Sequence, residues 1–179
     1  MQTLAIIGNP NSGKTTLFNR LTGSNQHVGN WPGVTVERKT GQIRHVGRQI
    51  DVVDLPGIYS LSPYTQEELI ARTFVLSSEV DGILNIVDAT NLERNLYLTM
   101  QLIGLGLPMI IALNFIDEVE AQQIHIDCEK LSSRLGVRVF PISARHGTGM
   151  LPLLDVLTGD TKQMLSLIHI SEPTRHAQI

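Results

Sequence analysis

The sequence predicts an α/β fold: about six strands in a mostly parallel sheet, one of them antiparallel, with helices on both faces. Three observations carry this. Short apolar runs alternate with segments whose apolar residues recur every three or four positions. Two strand-like runs joined only by a turn around Val46-Gly47-Arg48 supply the antiparallel hairpin. A glycine-rich loop separates the first strand from the first helix, on the side where such sheets bind ligands.

Residues 4–7 read as a buried strand that stops at Gly8. Residues 14–21 have helical spacing, with Leu17, Phe18 and Leu21 on one face and Gly23 placed to end the helix. Residues 34–43 and 49–53 are the hairpin strands, 66–77 a helix and 82–87 the next strand. Within 91–103, Leu92, Leu96, Thr99, Met100 and Ile103 make a strongly amphipathic helix. A strand at 109–113, a helix at 128–135, a strand at 137–142 and a helix at 149–157 complete the order.

The chain has 179 residues, 42% of them hydrophobic and 17% charged, enough for one domain with a sizeable core. Lys and Arg total 14 against 17 Asp and Glu, so no basic excess points to nucleic acid. A single cysteine, Cys128, suits a reducing, cytoplasmic setting. The most apolar stretch, 102–115, is broken by Gly104, Gly106 and Pro108, whereas a spanning helix needs about 20 apolar residues. The N-terminus lacks the basic start of a signal peptide, and the chain by itself is expected to be soluble.

Gly8-Asn9-Pro10-Asn11-Ser12-Gly13-Lys14-Thr15 matches G-x-x-x-x-G-K-[ST] between strand and helix, as a phosphate loop requires. Its glycines let successive N–H groups face phosphate oxygens, and the helix that follows adds its positive dipole end. Lys14 would reach the β- and γ-phosphates, the Thr15 hydroxyl would bind Mg²⁺, and Thr16 continues the helix start. Asp54-Leu55-Pro56-Gly57 follows the third strand, with Asp54 placed to hold the Mg²⁺ and the Gly57 N–H to contact a γ-phosphate. Asn114-Phe115-Ile116-Asp117 follows the fifth strand. Its carboxylate can accept two N–H bonds from the guanine edge, which adenine lacks. Ser143, Ala144 and Arg145, after the sixth strand, are expected to bring a backbone contact to the guanine O6.

In this order the motifs resemble the translation-factor-related GTPases, a Ras-like P-loop fold. The stretches 8–19, 28–37, 54–61 and 87–98 narrow the resemblance to the N-terminal G domain of the FeoB family of bacterial ferrous iron transport proteins. That resemblance spans 1 to about 158 and implies a slow GTPase that regulates a membrane iron permease on the cytoplasmic side of the inner membrane. It implies helical and transmembrane parts beyond this chain, with GTP or GDP as ligand. It makes Gly33, Val34, Thr35, Val36 and Glu37 the second nucleotide motif, with Thr35 closing on Mg²⁺ and γ-phosphate. It implies Phe115 in place of the usual lysine of the guanine motif, with one packing contact over the base lost.

Ile58 stands where many small GTPases carry a water-orienting glutamine, and it has no hydrogen-bonding group. It reads as an apolar side chain tucked against the switch. Arg38 lies near the second motif, but nothing in the sequence aims it at the phosphates. The FeoB resemblance implies K⁺ instead, with Asn11 as side-chain ligand and carbonyls from Gly29 to Trp31 closing the shell. Asn11, Lys14, Thr35 and Gly57 are then the catalytic candidates. Two other readings stay open: a related GTPase acting on ribosomes or tRNA, and a nucleotide-dependent switch with negligible turnover.

The six histidines show no ligand spacing and read as solvated or packed. Cys128, beside Asp127 and Glu129, is expected to be inert. Trp31 reads as a hydrophobic anchor for its loop. The domain is expected to end near residue 160, with 161–179 a non-native or disordered tail. Residues 165–179 look like translated sequencing adapter, so the chain is expected to be a truncated gene product.

Overall fold

The computed structural model describes residues 2–159; the expected tail, with its adapter-like stretch, lies outside the described residues. The chain runs β1 (Thr3–Gly8), α1 (Lys14–Thr22), β2 (Gln26–Asn30), β3 (Glu37–His45), β4 (Arg48–Asp54), α2 (Gln66–Val75), β5 (Gly82–Asp88), α3 (Leu92–Ile103), β6 (Met109–Asn114), α4 (Ile116–Ala121), α5 (Cys128–Leu135), β7 (Arg138–Pro141) and α6 (Met150–Leu157). The sheet order is β2-β3-β4-β1-β5-β6-β7. β3 runs antiparallel to both β2 and β4, and the other pairings are parallel.

Alternation along β1 shows how the sheet is covered on both faces. Leu4 and Ile6 pack with Leu17, Phe18 and Leu21 of α1 and Leu153 and Leu157 of α6. Ala5 and Ile7 pack on the other side with Ala71 and Phe74 of α2, Leu98 and Leu102 of α3 and Val119 of α4. Burying each large aliphatic side chain in such a layer stabilises by about 1.5–3 kcal/mol. The all-parallel core strands therefore read as unbroken apolar runs.

The structure adds to the sequence expectation and corrects it at four places. There are seven strands in the sheet, because the polar segment Gln26–Asn30 pairs with β3 as an edge strand. β3 begins at Glu37, where residues 34–36 had been read as strand; Gly33 at φ 75 and the Trp31 N–H bond to Val36 O close a turn there instead. α2 ends at Val75, two residues before Ser77; its start is held by a capping box between Thr65 and Glu68. The short α4 was not expected at all. The hairpin turn falls where predicted, with Val46 at φ 49 and Gly47 at φ 73, the left-handed pair a two-residue connection needs.

This topology puts the ends of β1, β4, β6 and β7 along one edge. Gly8, Asp54, Asn114 and Pro141 are their last residues, so four sequence motifs begin side by side.

Candidate functional site

The phosphate loop turns back on itself through two left-handed residues, Asn11 at φ 63 and Gly13 at φ 87. A Cβ at Gly8 would sit 2.6 Å from Ile86 O, and one at Gly13 would run into the Asn114 side-chain amide. Both glycines are thus fixed by close approach. Gly13→Ala is expected to cost about 2 kcal/mol or more, since it adds that collision to a left-handed conformation. A denaturant midpoint measures it, and an unchanged midpoint would mean the loop is not packed this way.

Lys14 opens α1, and its Nζ donates to Asp54 Oδ1 at 2.5 Å. Both side chains are nearly buried, at 12% and 7% exposure. Burial pushes the Asp54 carboxyl above its ordinary range; the Lys14 ammonium and its hydrogen bond oppose that shift without cancelling it. Asn9, Pro10, Asn11, Gly13, Lys14, Thr15, Thr16 and Gly57 line a cavity of about 380 Å³ above the loop. The Asn9 amide and Ser12 Oγ are buried with no partner among the described residues. Each such group costs about 1–3 kcal/mol until something satisfies it.

The Asp54 carboxylate, paired with Lys14, and the Thr15 hydroxyl, on the residue after Lys14 in the cavity lining, are hard oxygen donors of the kind Mg²⁺ takes. Leu55 and Ile116, within these motifs, are buried in the core. A larger hollow of about 460 Å³ lies against β2, β3 and β4, lined by Arg38 and Phe74 but by no phosphate-loop residue.

Asn114 is the hinge of the guanine end. Its Nδ2 donates to Ser12 O at 3.0 Å, and its Oδ1 accepts from the Ala144 N–H at 2.9 Å. One buried side chain therefore ties the phosphate loop to the loop after β7. Within the stretch expected to bring a backbone contact to guanine O6, the Ala144 N–H donates to Asn114 Oδ1 in this structure. Phe115 adopts φ 63 and lies close to Gly13. Asp117 stands in the first turn of α4; its Oδ2 is 3.4 Å from His146 Nε2, and its Oδ1 is buried without a partner among the described residues.

The second motif is not gathered with these groups. Gly29 is paired with Arg38 in the β2–β3 ladder, and Glu37 pairs with Lys39 at 3.0 Å. Gly33, Val34, Thr35 and Val36 form the turn between those strands, with Thr35 exposed. Trp31 is buried and meets Phe74 edge-on at 5.3 Å, as the anchor reading expects. The Arg38 guanidinium stacks 4.7 Å over Trp31, so it is engaged away from the phosphates. Ile58 is 2% exposed in the core, as its apolar reading requires. Burial and the neighbouring Asp127 and Glu120 push the Cys128 thiol up, in line with an inert sulfur.

Comparison with known proteins follows the same lines. The family model for ferrous iron transport protein B matches residues 2–157. The chain belongs to the FeoB family. It is 50% identical over 176 residues to the Fe(2+) transporter FeoB of Salmonella typhimurium, covering 96% of this chain but 23% of that protein. The chain thus spans about a quarter of the length of the curated relatives it matches. Among solved structures, a point mutant of S. thermophilus NFeoB bound to GDP aligns with TM-score 0.80 and 52% identity, over 94% of this chain and 61% of that one. The G domain of T. maritima FeoB aligns with TM-score 0.81 and 37% identity, over 93% of this chain and 98% of that one.

FeoB membership agrees with the Ras-like P-loop fold seen here. One side chain at the site has no local sequence signal, and another makes contacts its motif does not announce. Asn114 was assigned as part of a base-reading motif, yet its contacts are to two loops, 102 and 30 residues away. Arg20 was not singled out, and it reaches across to the loop after β7.

Proposed function

We propose that this chain binds GTP and GDP with Mg²⁺ and hydrolyses GTP slowly, as the regulatory G domain of a bacterial ferrous iron transporter. The observation that carries the reading is the meeting of the Gly8–Thr15 loop, the Lys14–Asp54 pair and the Asn114–Ala144 clamp along one sheet edge. The GDP bound to the S. thermophilus relative supports it.

In the chemistry proposed, Lys14 Nζ leaves Asp54 for the β- and γ-phosphate oxygens. The freed Asp54 carboxylate and the Thr15 hydroxyl then hold the metal site, with Thr35 joining when its turn closes. Mg²⁺ held there would neutralise charge on the β- and γ-phosphates. Gly57 N–H donates to the γ-phosphate. Water attacks phosphorus as the bond to the β-bridging oxygen breaks, giving GDP and phosphate. Asp117 accepts from guanine N1–H and N2–H. Ser143, Ala144 and Arg145 cover the base, with Phe115 beside the loop. Iron passage, membrane parts of the same polypeptide and a place on the cytoplasmic face of the inner membrane are inferred from the FeoB relatives.

Ile58, which follows Gly57, cannot orient the water, being apolar and buried in the core. The same observation favours the second reading, a switch with negligible turnover. A K⁺ held by Asn11, which lines the phosphate cavity, would supply the missing positive charge. Carbonyls between Gly29 and Trp31 join only if β2 leaves its pairing with β3. Single-turnover hydrolysis in KCl and NaCl at equal ionic strength separates the readings. Faster hydrolysis in K⁺ is expected, by about 10- to 100-fold, below the 10³–10⁵ of an arginine finger. Asn11→Ala should lose that difference and keep GDP binding. Equal rates in both salts would remove the cation; no turnover in either would leave the switch.

A further inference from the structure

We infer that Arg20 is a positioning residue for the guanine end of the site, holding the loop after β7 so that bound guanine nucleotide leaves slowly. The inference rests on the guanine-nucleotide reading above. Arg20 lies in the last turn of α1, the helix whose other end carries Lys14. Its Nε donates to Ala144 O at 2.6 Å and its Nη2 to Arg145 O at 2.8 Å. The guanidinium also covers Gly147, where an added Cβ would stand 2.8 Å from Nη1. Gly147 at φ 78 adopts a left-handed conformation that favours glycine, and it closes the turn by donating to Ser143 O at 2.8 Å.

The Ala144 residue is thus gripped from both sides, its N–H by Asn114 and its carbonyl by Arg20. A trans peptide plane directs its C=O and the following N–H oppositely. With Ala144 O turned to Arg20, the Arg145 N–H points away from α1, and it has no partner among the described residues. The fork geometry of a guanidinium sets two successive carbonyls at once, which a single ammonium cannot do. α1 therefore joins the phosphate end to the base end: the helix that presents Lys14 also fixes the loop that covers the base.

The test is stopped-flow release of N-methylanthraniloyl-GDP from the full chain, with competition by unlabelled GDP and ADP. Arg20→Ala should release GDP about five- to tenfold faster, the effect of losing charge-assisted hydrogen bonds at a part-exposed site. Its ADP affinity should stay as in the parent chain, so the preference for GDP over ADP falls by the same factor. Arg20→Lys should recover part of the loss. Unchanged GDP release, or equal weakening of GDP and ADP, would overturn the inference, because a merely structural role moves both nucleotides together. A parent chain with no preference for GDP over ADP would instead overturn the guanine reading, and the inference with it.

Discussion

Lys14→Ala should lose two to three orders of magnitude in GDP affinity and, separately, unfold more easily. The affinity loss follows from charge-assisted hydrogen bonds to phosphate, worth about 1.5–3 kcal/mol each, in a site otherwise built from backbone N–H groups. The stability loss has a different origin. Lys14 and Asp54 are nearly buried and share one short hydrogen bond, so truncating the lysine strands a desolvated carboxylate. Breaking a buried pair costs about 3–5 kcal/mol, and protonation of Asp54 lowers that penalty.

Burial already raises the Asp54 carboxyl, and losing Lys14 raises it further. The native state then holds a proton that the unfolded state releases, so stability falls as pH rises from the ordinary carboxylate range through the raised value. Urea unfolding of Lys14→Ala should therefore show the defect at neutral pH and relief on acidification. The double variant Lys14→Ala/Asp54→Asn should regain most of the stability and none of the GDP affinity. Recovery of affinity in the double variant would mean that Lys14 acts only by neutralising Asp54, and that phosphate is held elsewhere.

How much of this site was legible depended on whether the reason for each residue was local. Gly8, Gly13 and Lys14 sit in one loop whose spacing has a single physical use, so that loop and the strand and helix around it were readable directly. β2 was not. Gln26–Asn30 carries no apolar alternation because an edge strand is largely solvated on both faces, and only its pairing with β3 makes it a strand. The turn at 34–36 was misread as strand because Val34 and Val36 have β-favouring side chains, while the conformation is set by Gly33 and by packing of Trp31 on Phe74. α4 is too short for a helical period to show. Arg20 and Asn114 were hidden for a further reason. Their partners lie a hundred or more residues away, at Ala144 and Ser12, and no local pattern announces such contacts.

Replacing Asp117 with Asn should exchange the base preference of the site from guanine to xanthine. A carboxylate offers acceptors to both N1–H and the exocyclic amino group of guanine. An asparagine amide offers one acceptor and one donor, which matches the N1–H and C2 oxygen of xanthine. Sites built on such paired polar groups reject an analogue that leaves them unpaired by roughly 10⁴–10⁵-fold, so even partial mispairing should weaken GTP by about 10²–10³-fold. The surroundings permit the exchange at little structural cost. Asp117 Oδ1 has no partner among the described residues to lose, and the contact of Oδ2 with His146 at 3.4 Å is part-exposed. Stability should therefore change by less than about 0.5 kcal/mol. Lys14 opens α1 and Asp54 ends β4, both apart from α4, so that end should keep its hold on the phosphates. XTP should then bind the Asp117→Asn chain about as tightly as GTP binds the parent, with ATP weak in both. Competition among GTP, XTP and ATP decides it. A GTP preference that survives the substitution would mean that the base is read by the loop after β7 alone, with Asp117 serving only as a polar residue in the first turn of α4.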